Sequence, residues 1–163
     1  AANWKNRSIL MRSQFMEITE QHKNLVLKTW EKLNSWRSFL IAVDGKDGSG
    51  KSTLARFLSW QMGMPTIETD LFLDRGQNEI ISYQKDDMRR IIKTRLDNDR
   101  PVIVEGIFLL DVLQTIQIEP DYVIYTENQG SDGSYIWQED FVKYEEEYTP
   151  RRRAGFVFSW SET

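Results

Sequence analysis

The chain has 163 residues, a formal net charge of −4, one histidine and no cysteine. This length suits a single domain with a substantial core, and the lack of cysteine excludes disulfide bonds and thiolate metal sites. The apolar runs are far shorter than the ~20 residues of a membrane-spanning helix, and an acidic chain binds polyanions poorly. We therefore expect one cytoplasmic domain over residues 1–163 that binds neither membranes nor nucleic acid.

The N-terminal part, residues 1–36, predicts a helical extension. From about Phe15 onward, apolar residues recur at steps of three and four with charged residues between them, which indicates a helix of about five or six turns. His22 falls in the polar part of this helix. Because no cysteine or second histidine can complete a metal site, we expect His22 to be a solvated surface residue.

An apolar run at 39–43 predicts the first strand, and a glycine-rich segment follows it at 45–53. The spacing G-x-x-x-x-G-K-[ST] is typical of a loop whose backbone N–H groups surround a phosphate, beside the N-terminus of a helix. A solvent-facing Lys51 would bind the β- and γ-phosphates of ATP, and the Ser52 hydroxyl would bind Mg²⁺. The alternative is an ordinary Gly/Ser-rich turn. The residues of this loop predicted to bind the nucleotide are Gly45, Asp47, Gly48, Ser49, Gly50, Lys51, Ser52 and Thr53.

The middle of the chain alternates between helices and strands. Its predicted elements are a helix from Lys51 that stops at Gly63, a strand at 66–69, a loop at 71–79, a helix at about 84–97, a strand at 102–105, a helix at 107–113 and a strand at 122–125. Arg89 and Arg90, in the helix at 84–97, either hold an anionic substrate or form a solvated basic face.

The C-terminal part is acidic. Residues 126–149 contain seven Asp and Glu residues, with Lys143 as the one basic residue. They predict a loop at 127–134 and an acidic helix at 135–148, which are followed by an arginine-rich turn at 151–153 and a fifth strand at 156–158. Strands that alternate with helices predict an α/β fold with a parallel sheet covered on both faces, and ligands bind such a sheet beyond the carboxyl ends of its strands.

Two carboxylates lie at that edge, together with the glycine-rich loop. Asp70 follows the second predicted strand, and we assign it as the base that accepts a proton from a substrate hydroxyl; the alternative is a cap for the loop that follows. Glu105 ends the third strand and would bind Mg²⁺ through water or a substrate hydroxyl, unless it is a plain solvated strand end. The predicted catalytic residues are Lys51, Asp70 and Glu105, and the predicted metal ligands are Ser52 and Glu105.

The class of nucleotide-binding protein follows from motifs that the chain lacks. It has neither the Asn-Lys-x-Asp motif of GTPases nor the Gly-rich signature of transporter ATPases, which leaves a small-molecule kinase. The segments 39–53, 102–109 and 137–158, with Asp70, resemble those of uridine kinase and its relatives. This resemblance covers about residues 37–160. It implies a three-layer P-loop NTPase fold whose five-stranded parallel sheet has the order 2-3-1-4-5.

Two departures from uridine kinases stand out. Their lid after strand four is Arg-rich whereas residues 126–149 are acidic, and their long substrate-binding insertion is compressed here to 71–100. Arg153 matches a basic residue of related small proteins and is predicted to contact the nucleotide or pair with the acidic helix; the alternative is a solvated turn.

The function expected from these features is transfer of phosphate from ATP, with Mg²⁺, to a hydroxyl of a nucleoside or other small metabolite. The alternative is a nucleotide-binding regulatory protein on a kinase scaffold, with little turnover.

Overall fold

Five parallel strands form the sheet on which the helices pack, in a computed structural model that describes residues 17–33, 35, 37–74 and 82–161. In chain order the elements are α1 (Glu20–Leu33), β1 (Leu40–Asp44), α2 (Lys51–Met62), β2 (Thr66–Glu68), β3 (Leu73–Asp74), β4 (Ser82–Tyr83), α3 (Lys85–Asp97), β5 (Val102–Gly106), α4 (Leu109–Thr115), β6 (Tyr122–Asn128), α5 (Gln138–Tyr148), α6 (Pro150–Arg153) and β7 (Phe156–Trp160). Short 3₁₀ turns occupy Thr69–Phe72 and Tyr135–Trp137. None of the described helices has both the length and the apolar character needed to cross a bilayer.

The sheet has the strand order β2-β5-β1-β6-β7, and each neighbouring pair is parallel. The short strands β3 and β4 form a separate antiparallel pair, which the sequence analysis did not predict. When these two strands are left out, the order is the predicted 2-3-1-4-5. The central strands β1 and β5 are buried along their whole length, as expected for strands covered by helices on both faces.

Alternate residues of β1 face opposite halves of the core. Ile41 and Val43 pack in a cluster with residues of α1 and α2, whereas Leu40 and Ala42 pack in a cluster with residues of α3, α4 and α5. This two-residue period is that of an extended strand buried on both faces. It sets α1 and α2 on one face of the sheet and α3, α4 and α5 on the other.

Several boundaries differ from those predicted. The first helix begins at Glu20; Phe15 and the rest of 1–16 lie outside the described residues, as do 75–79 of the predicted loop. Strand β6 continues to Asn128, three residues past the predicted end, because β7 pairs with it over this length. Helix α4 begins at Leu109 rather than at 107, since Phe108 has a left-handed φ of 52° that a helix cannot contain.

His22 is buried, contrary to the prediction of a surface residue. Its side chain belongs to the stripe of α1 that faces the core, together with Leu25, Thr29 and Leu33. The ring packs edge-on against Phe57 and Phe158, with centroids 5.0 and 4.6 Å away. Ile18 and Trp30, two of the apolar residues that recur in this segment, are exposed instead. A histidine completes the apolar face because most of its ring is carbon and its Nδ1 accepts a hydrogen bond from the Thr19 N–H at 3.1 Å.

The protonation of His22 should therefore affect folding. Burial lowers the pKa of His22 below its usual 6.5, so the unfolded chain binds a proton that the folded chain does not, and stability falls as the pH falls through about 6.5. Replacement of this single histidine by glutamine should reduce the loss of unfolding free energy between about pH 7.5 and 5.5, measured by urea denaturation. Lys23→Gln on the exposed face is the control. Identical pH slopes for wild type and His22→Gln would contradict a buried, uncharged ring.

Candidate active site

The glycine-rich loop joins the end of β1 to the start of α2, and the indole of Trp160 supports it. Trp160 Nε1 donates a hydrogen bond to the Ser49 carbonyl at 2.6 Å. Gly50 has a left-handed φ of 86°, and a Cβ there would lie 2.9 Å from Trp160 Nε1. Only glycine fits this position without moving the ring. The last strand of the sheet thus fixes the path of a loop formed much earlier in the chain.

Lys51 is buried at the start of α2, whereas the sequence analysis placed it facing solvent. Its Nζ donates a hydrogen bond across the loop to the Lys46 carbonyl at 2.9 Å. Burial lowers the pKa of Lys51, and the nearby carboxylates of Glu105, Asp44, Asp47 and Asp70 oppose this change. The four carboxylates therefore offset part of the cost of burying the charged form of this lysine.

Ser52 and Glu105, the two predicted metal ligands, are in contact. Ser52 Oγ donates a hydrogen bond to Glu105 Oε1 at 2.8 Å. Glu105 is only 3% exposed, and burial raises its pKa, against the opposing effects of the Ser52 hydrogen bond and the charge of Lys51. A plain solvated strand end is therefore the wrong description of Glu105. The strand pairing between β1 and β5 places this carboxylate beside the loop.

Asp70 lies in the 3₁₀ turn that follows β2 and is exposed. Glu68 pairs with Glu105 across β2 and β5, so Asp70 follows at the same edge of the sheet, and its charge acts on both Lys51 and Glu105. Glu68, the residue before this turn, makes no side-chain capping hydrogen bond to it. The structure thus brings the three predicted catalytic residues to one edge of the sheet. The capping alternative for Asp70 concerns a loop whose last residues lie outside the described part of the chain.

Asp44 is a site residue that the sequence analysis missed. It is fully buried at the end of β1, where Gly45 N–H donates a hydrogen bond to Oδ1 at 2.7 Å. The Tyr144 hydroxyl donates to Oδ2 and accepts a hydrogen bond from Leu110 N–H at 2.9 Å. Burial raises the pKa of Asp44 to about 6. The sequence could have identified Asp44 in the same way as Glu105, because both are carboxylates at the end of a buried strand beside the loop.

The acidic segment after β6 contacts the loop directly. Ser134 N–H donates a hydrogen bond to Asp47 Oδ1 at 2.7 Å, so this carboxylate of the loop binds the segment. Lys46 Nζ lies 3.5 Å from Glu145 Oε1. With the bond between Tyr144 and Asp44, these contacts make α5 a wall of the site. Of the other loop residues, Ser49 Oγ lies 2.8 Å from Thr126 Oγ1 and Thr53 is exposed on α2.

A cleft of about 360 Å³ lies between the loop and the end of β6. Lys46, Glu127 and Arg151 are among the residues that line it, and Arg151 Nε donates a hydrogen bond to Glu127 Oε2 at 2.9 Å. The hydrogen bonds from Arg151 and Ser159 hold the pKa of Glu127 below its usual value. The cleft is therefore mainly polar and contains charges of both signs.

Arg151 lines the cleft, whereas Arg89, Arg90 and Arg153 do not. Arg153 Nη2 is 3.8 Å from Glu119 Oε2, in the segment before β6, because α6 leads directly into the amino end of β7. Its predicted pairing with the acidic helix is wrong, and the structure does not bring it to the loop. Arg89 bonds Gln117 and Arg90 bonds Asp87, all on exposed side chains, as in a solvated basic face.

Comparison with known proteins gives matches among solved structures. No protein-family model and no curated protein sequence matches the chain. A structure described as a "possible uridine kinase" from Bacillus stearothermophilus aligns with 88% of this chain and 100% of its own, at 19% identity and a TM-score of 0.62. The chain has the P-loop kinase fold. This likeness confirms the predicted fold and agrees with the resemblance seen in the sequence.

Two further solved kinases with this fold align less well. Shikimate kinase from Bacteroides thetaiotaomicron is 15% identical, with coverage of 74% of this chain and 86% of its own and a TM-score of 0.44. A gluconokinase from Sinorhizobium meliloti is 19% identical, with coverage of 78% and 84% and a TM-score of 0.42.

The Tyr144 hydroxyl should contribute measurably to stability. Tyr144→Phe leaves Asp44 Oδ2 and Leu110 N–H without this partner, so we expect the unfolding free energy to fall by about 1–3 kcal/mol. Tyr148→Phe is a matched control, because its ring stacks on Tyr144 at 5.1 Å but its hydroxyl bonds Asp111 at the surface. The control should change the free energy by less than about 0.5 kcal/mol in urea denaturation at neutral pH. Losses of similar size in both variants would contradict a special role for Tyr144.

Proposed function

We propose that the chain is a kinase that uses ATP and Mg²⁺ to phosphorylate a hydroxyl of a nucleoside or other small metabolite. The observation that carries this proposal is the hydrogen bond between Ser52 and Glu105, which joins the loop to a strand-end carboxylate beside Asp70. Phosphoryl transfer depends on positioning and on electrostatic stabilisation. A cation, a hydroxyl and two carboxylates at one sheet edge have the required chemistry.

The loop fits the triphosphate of ATP. A Cβ placed on Gly48 has nothing within 4 Å, so the backbone there is open to a ligand. The N-terminus of α2 adds its partial positive charge. Lys51 has the charge and position to bind phosphate oxygens once it leaves the Lys46 carbonyl.

Ser52 and Glu105 fit Mg²⁺. The described residues contain no group of three or more His, Cys, Asp and Glu side chains that could hold a metal ion. A magnesium ion bound with phosphates takes only one or two protein oxygens and keeps several waters. Ser52 and Glu105, which are in hydrogen-bond contact with each other, would supply these protein oxygens, and the ion would neutralise phosphate charge.

Asp70 is the proposed base. Because it is exposed at the same edge, its carboxylate can accept the proton of an acceptor hydroxyl as the oxygen of that hydroxyl forms a bond to the terminal phosphorus of ATP. Lys51 offsets the negative charge on the transferred phosphoryl group. The bond between that phosphorus and the bridging oxygen breaks, and ADP leaves.

One observation favours the second function, a nucleotide-binding protein with little turnover. Lys46 and Arg151, the basic side chains of the cleft, are already paired with Glu145 and Glu127. Kinases need positive charge near the equatorial oxygens of the phosphoryl group that they transfer. Positive charge beyond that of Lys51 would therefore require release of at least one of these pairs when the nucleotide binds.

Release of ADP tests the proposed function. With ATP, Mg²⁺ and a panel of nucleosides, sugars and polyols, we expect ADP release with at least one acceptor. Asp70→Asn should lower kcat by about 10² or more without a change in ATP affinity. Asp97→Asn, at the exposed end of α3, is the control. Nucleotide binding without ADP release for every acceptor would favour the second function, and an unchanged kcat in Asp70→Asn would remove Asp70 from the mechanism.

Thermal stabilisation by ATP and Mg²⁺ tests the loop separately from catalysis. A ligand at about 100 times its Kd stabilises the folded state by about 2.7 kcal/mol. Lys51→Met keeps an apolar side chain in the buried position but removes the charge, so it should lose most of the stabilisation. Lys93→Met, on the exposed face of α3, should keep it. Equal shifts of Tm across an ATP titration of the three proteins would exclude Lys51 from nucleotide binding.

A further inference from the structure

Among the residues that the structure describes, two basic side chains line the cleft beside the glycine-rich loop. They are Lys46, in the loop itself, and Arg151, in α6. Lys143, the one basic residue of the acidic segment 126–149, is exposed on α5 and is not among the residues of this cleft. A second cation for phosphoryl transfer, in addition to Lys51, would therefore come from Lys46 or Arg151.

Arg151 is held in a bidentate pair. Its Nε and Nη2 donate hydrogen bonds to the two carboxylate oxygens of Glu127, at 2.9 and 3.4 Å. Ser159 Oγ donates a further hydrogen bond to Glu127 Oε1, at 2.6 Å. Because Glu127 and Ser159 lie opposite each other on β6 and β7, strand pairing fixes this carboxylate. Release of Arg151 would break two hydrogen bonds to a well-positioned partner.

Lys46 is held more weakly. Its Nζ lies 3.5 Å from Glu145 Oε1, which is longer than the usual charge-assisted hydrogen bond. The Lys46 side chain is 24% exposed, so it is accessible from the cleft. Glu145 Oε1 also accepts a hydrogen bond from the Tyr125 hydroxyl at 2.9 Å. The carboxylate therefore keeps a partner when Lys46 moves away, and the release of this lysine costs less than the release of Arg151.

Lys46 is itself part of the loop that would surround the phosphates. It follows Gly45, and its carbonyl accepts the hydrogen bond from Lys51 Nζ at 2.9 Å. The Nζ of Lys46 consequently stays within one side-chain length of the loop backbone. A terminal phosphate in the loop would attract both ammonium groups, since opposite charges at short range in a partly buried site attract strongly.

We propose that Lys46 is a second catalytic cation: when ATP binds, its ammonium group leaves Glu145 and bonds an oxygen of the terminal phosphate. This inference rests on the proposed function. Lys46 forms no covalent bond in the reaction. Like Lys51, it offsets the negative charge on the phosphoryl group while that group passes from the bridging oxygen of ATP to the acceptor hydroxyl. Helix α5 stays in place, because the hydrogen bond between Tyr144 and Asp44 does not involve Lys46.

Steady-state kinetics of Lys46→Met and Glu145→Gln test the inference, with the acceptor that supports the fastest ADP release. Lys46→Met removes the cation and should lower kcat by about 10². Glu145→Gln removes the same ion pair but keeps the cation. It should lower the KM for ATP, because the phosphate no longer competes with a carboxylate for Lys46. Lys143→Met removes a positive charge from the exposed face of α5 and should change neither constant.

Two kinetic results would overturn the inference. One is an unchanged kcat in Lys46→Met. The other is a loss of kcat of the same size in Lys46→Met and Glu145→Gln, because the pair would then serve only to hold α5 against the loop. In both cases ADP release by the wild type still supports the proposed function.

Binding of ATP and ADP tests the inference without turnover. In calorimetric titrations with Mg²⁺ and no acceptor, Lys46→Met should weaken ATP binding by about tenfold or more and ADP binding far less, because ADP lacks the terminal phosphate. Lys46→Arg keeps the charge and should restore most of the ATP affinity. Equal losses for the two nucleotides, or no binding of ATP by the wild type, overturn the inference. If Lys46→Met loses ATP selectively while no acceptor supports ADP release, the contact of Lys46 with the phosphate is supported and the proposed function is not.

Discussion

The buried carboxylate of Asp44 links the three parts of the molecule that form the site. It ends the central strand, accepts a hydrogen bond from the first N–H of the loop and accepts another from Tyr144 on α5. A buried carboxylate is tolerated only when such partners compensate for the loss of water. Strand, loop and acidic helix are therefore held in one arrangement, since a shift of either partner would leave this group without compensation. The position of Lys51 and the contact between Ser52 and Glu105 both depend on the loop path that results.

The acidic segment has a different role from an Arg-rich lid. Its contacts with the loop use the carboxylates of Asp47 and Glu145, and both are bonded to protein groups. Tyr125 also donates a hydrogen bond to Glu145, at 2.9 Å. Negative charges near the glycine-rich loop are thus used to fix α5 in place. A closing lid requires a segment that moves freely, whereas α5 is tied to the loop, to β6 and to the end of β1.

Much of the fold and part of the site could be predicted from the sequence, because they follow from local patterns. The spacing of the glycine-rich loop and the apolar runs of the strands are local, and so is a carboxylate at a strand end, such as Glu105. Other features depend on contacts between distant parts of the chain. The burial of His22 requires Phe57 and Phe158. That Arg151 rather than Arg153 bonds a carboxylate of the cleft depends on how α6 meets β7. The antiparallel pair of β3 and β4 is another contact that no local pattern predicts.

The contact of Trp160 with the loop has a consequence for the order of events during protein synthesis. The indole and the Ser49 carbonyl that it bonds are 111 residues apart. A ribosome that has released the loop and α2 has not yet released β7, so the nascent loop lacks this support. The candidate active site consequently matures late, after the sheet has gained its final strand. Nascent chains arrested before β7 should hold the loop in a less ordered form, although its whole motif is already outside the exit tunnel.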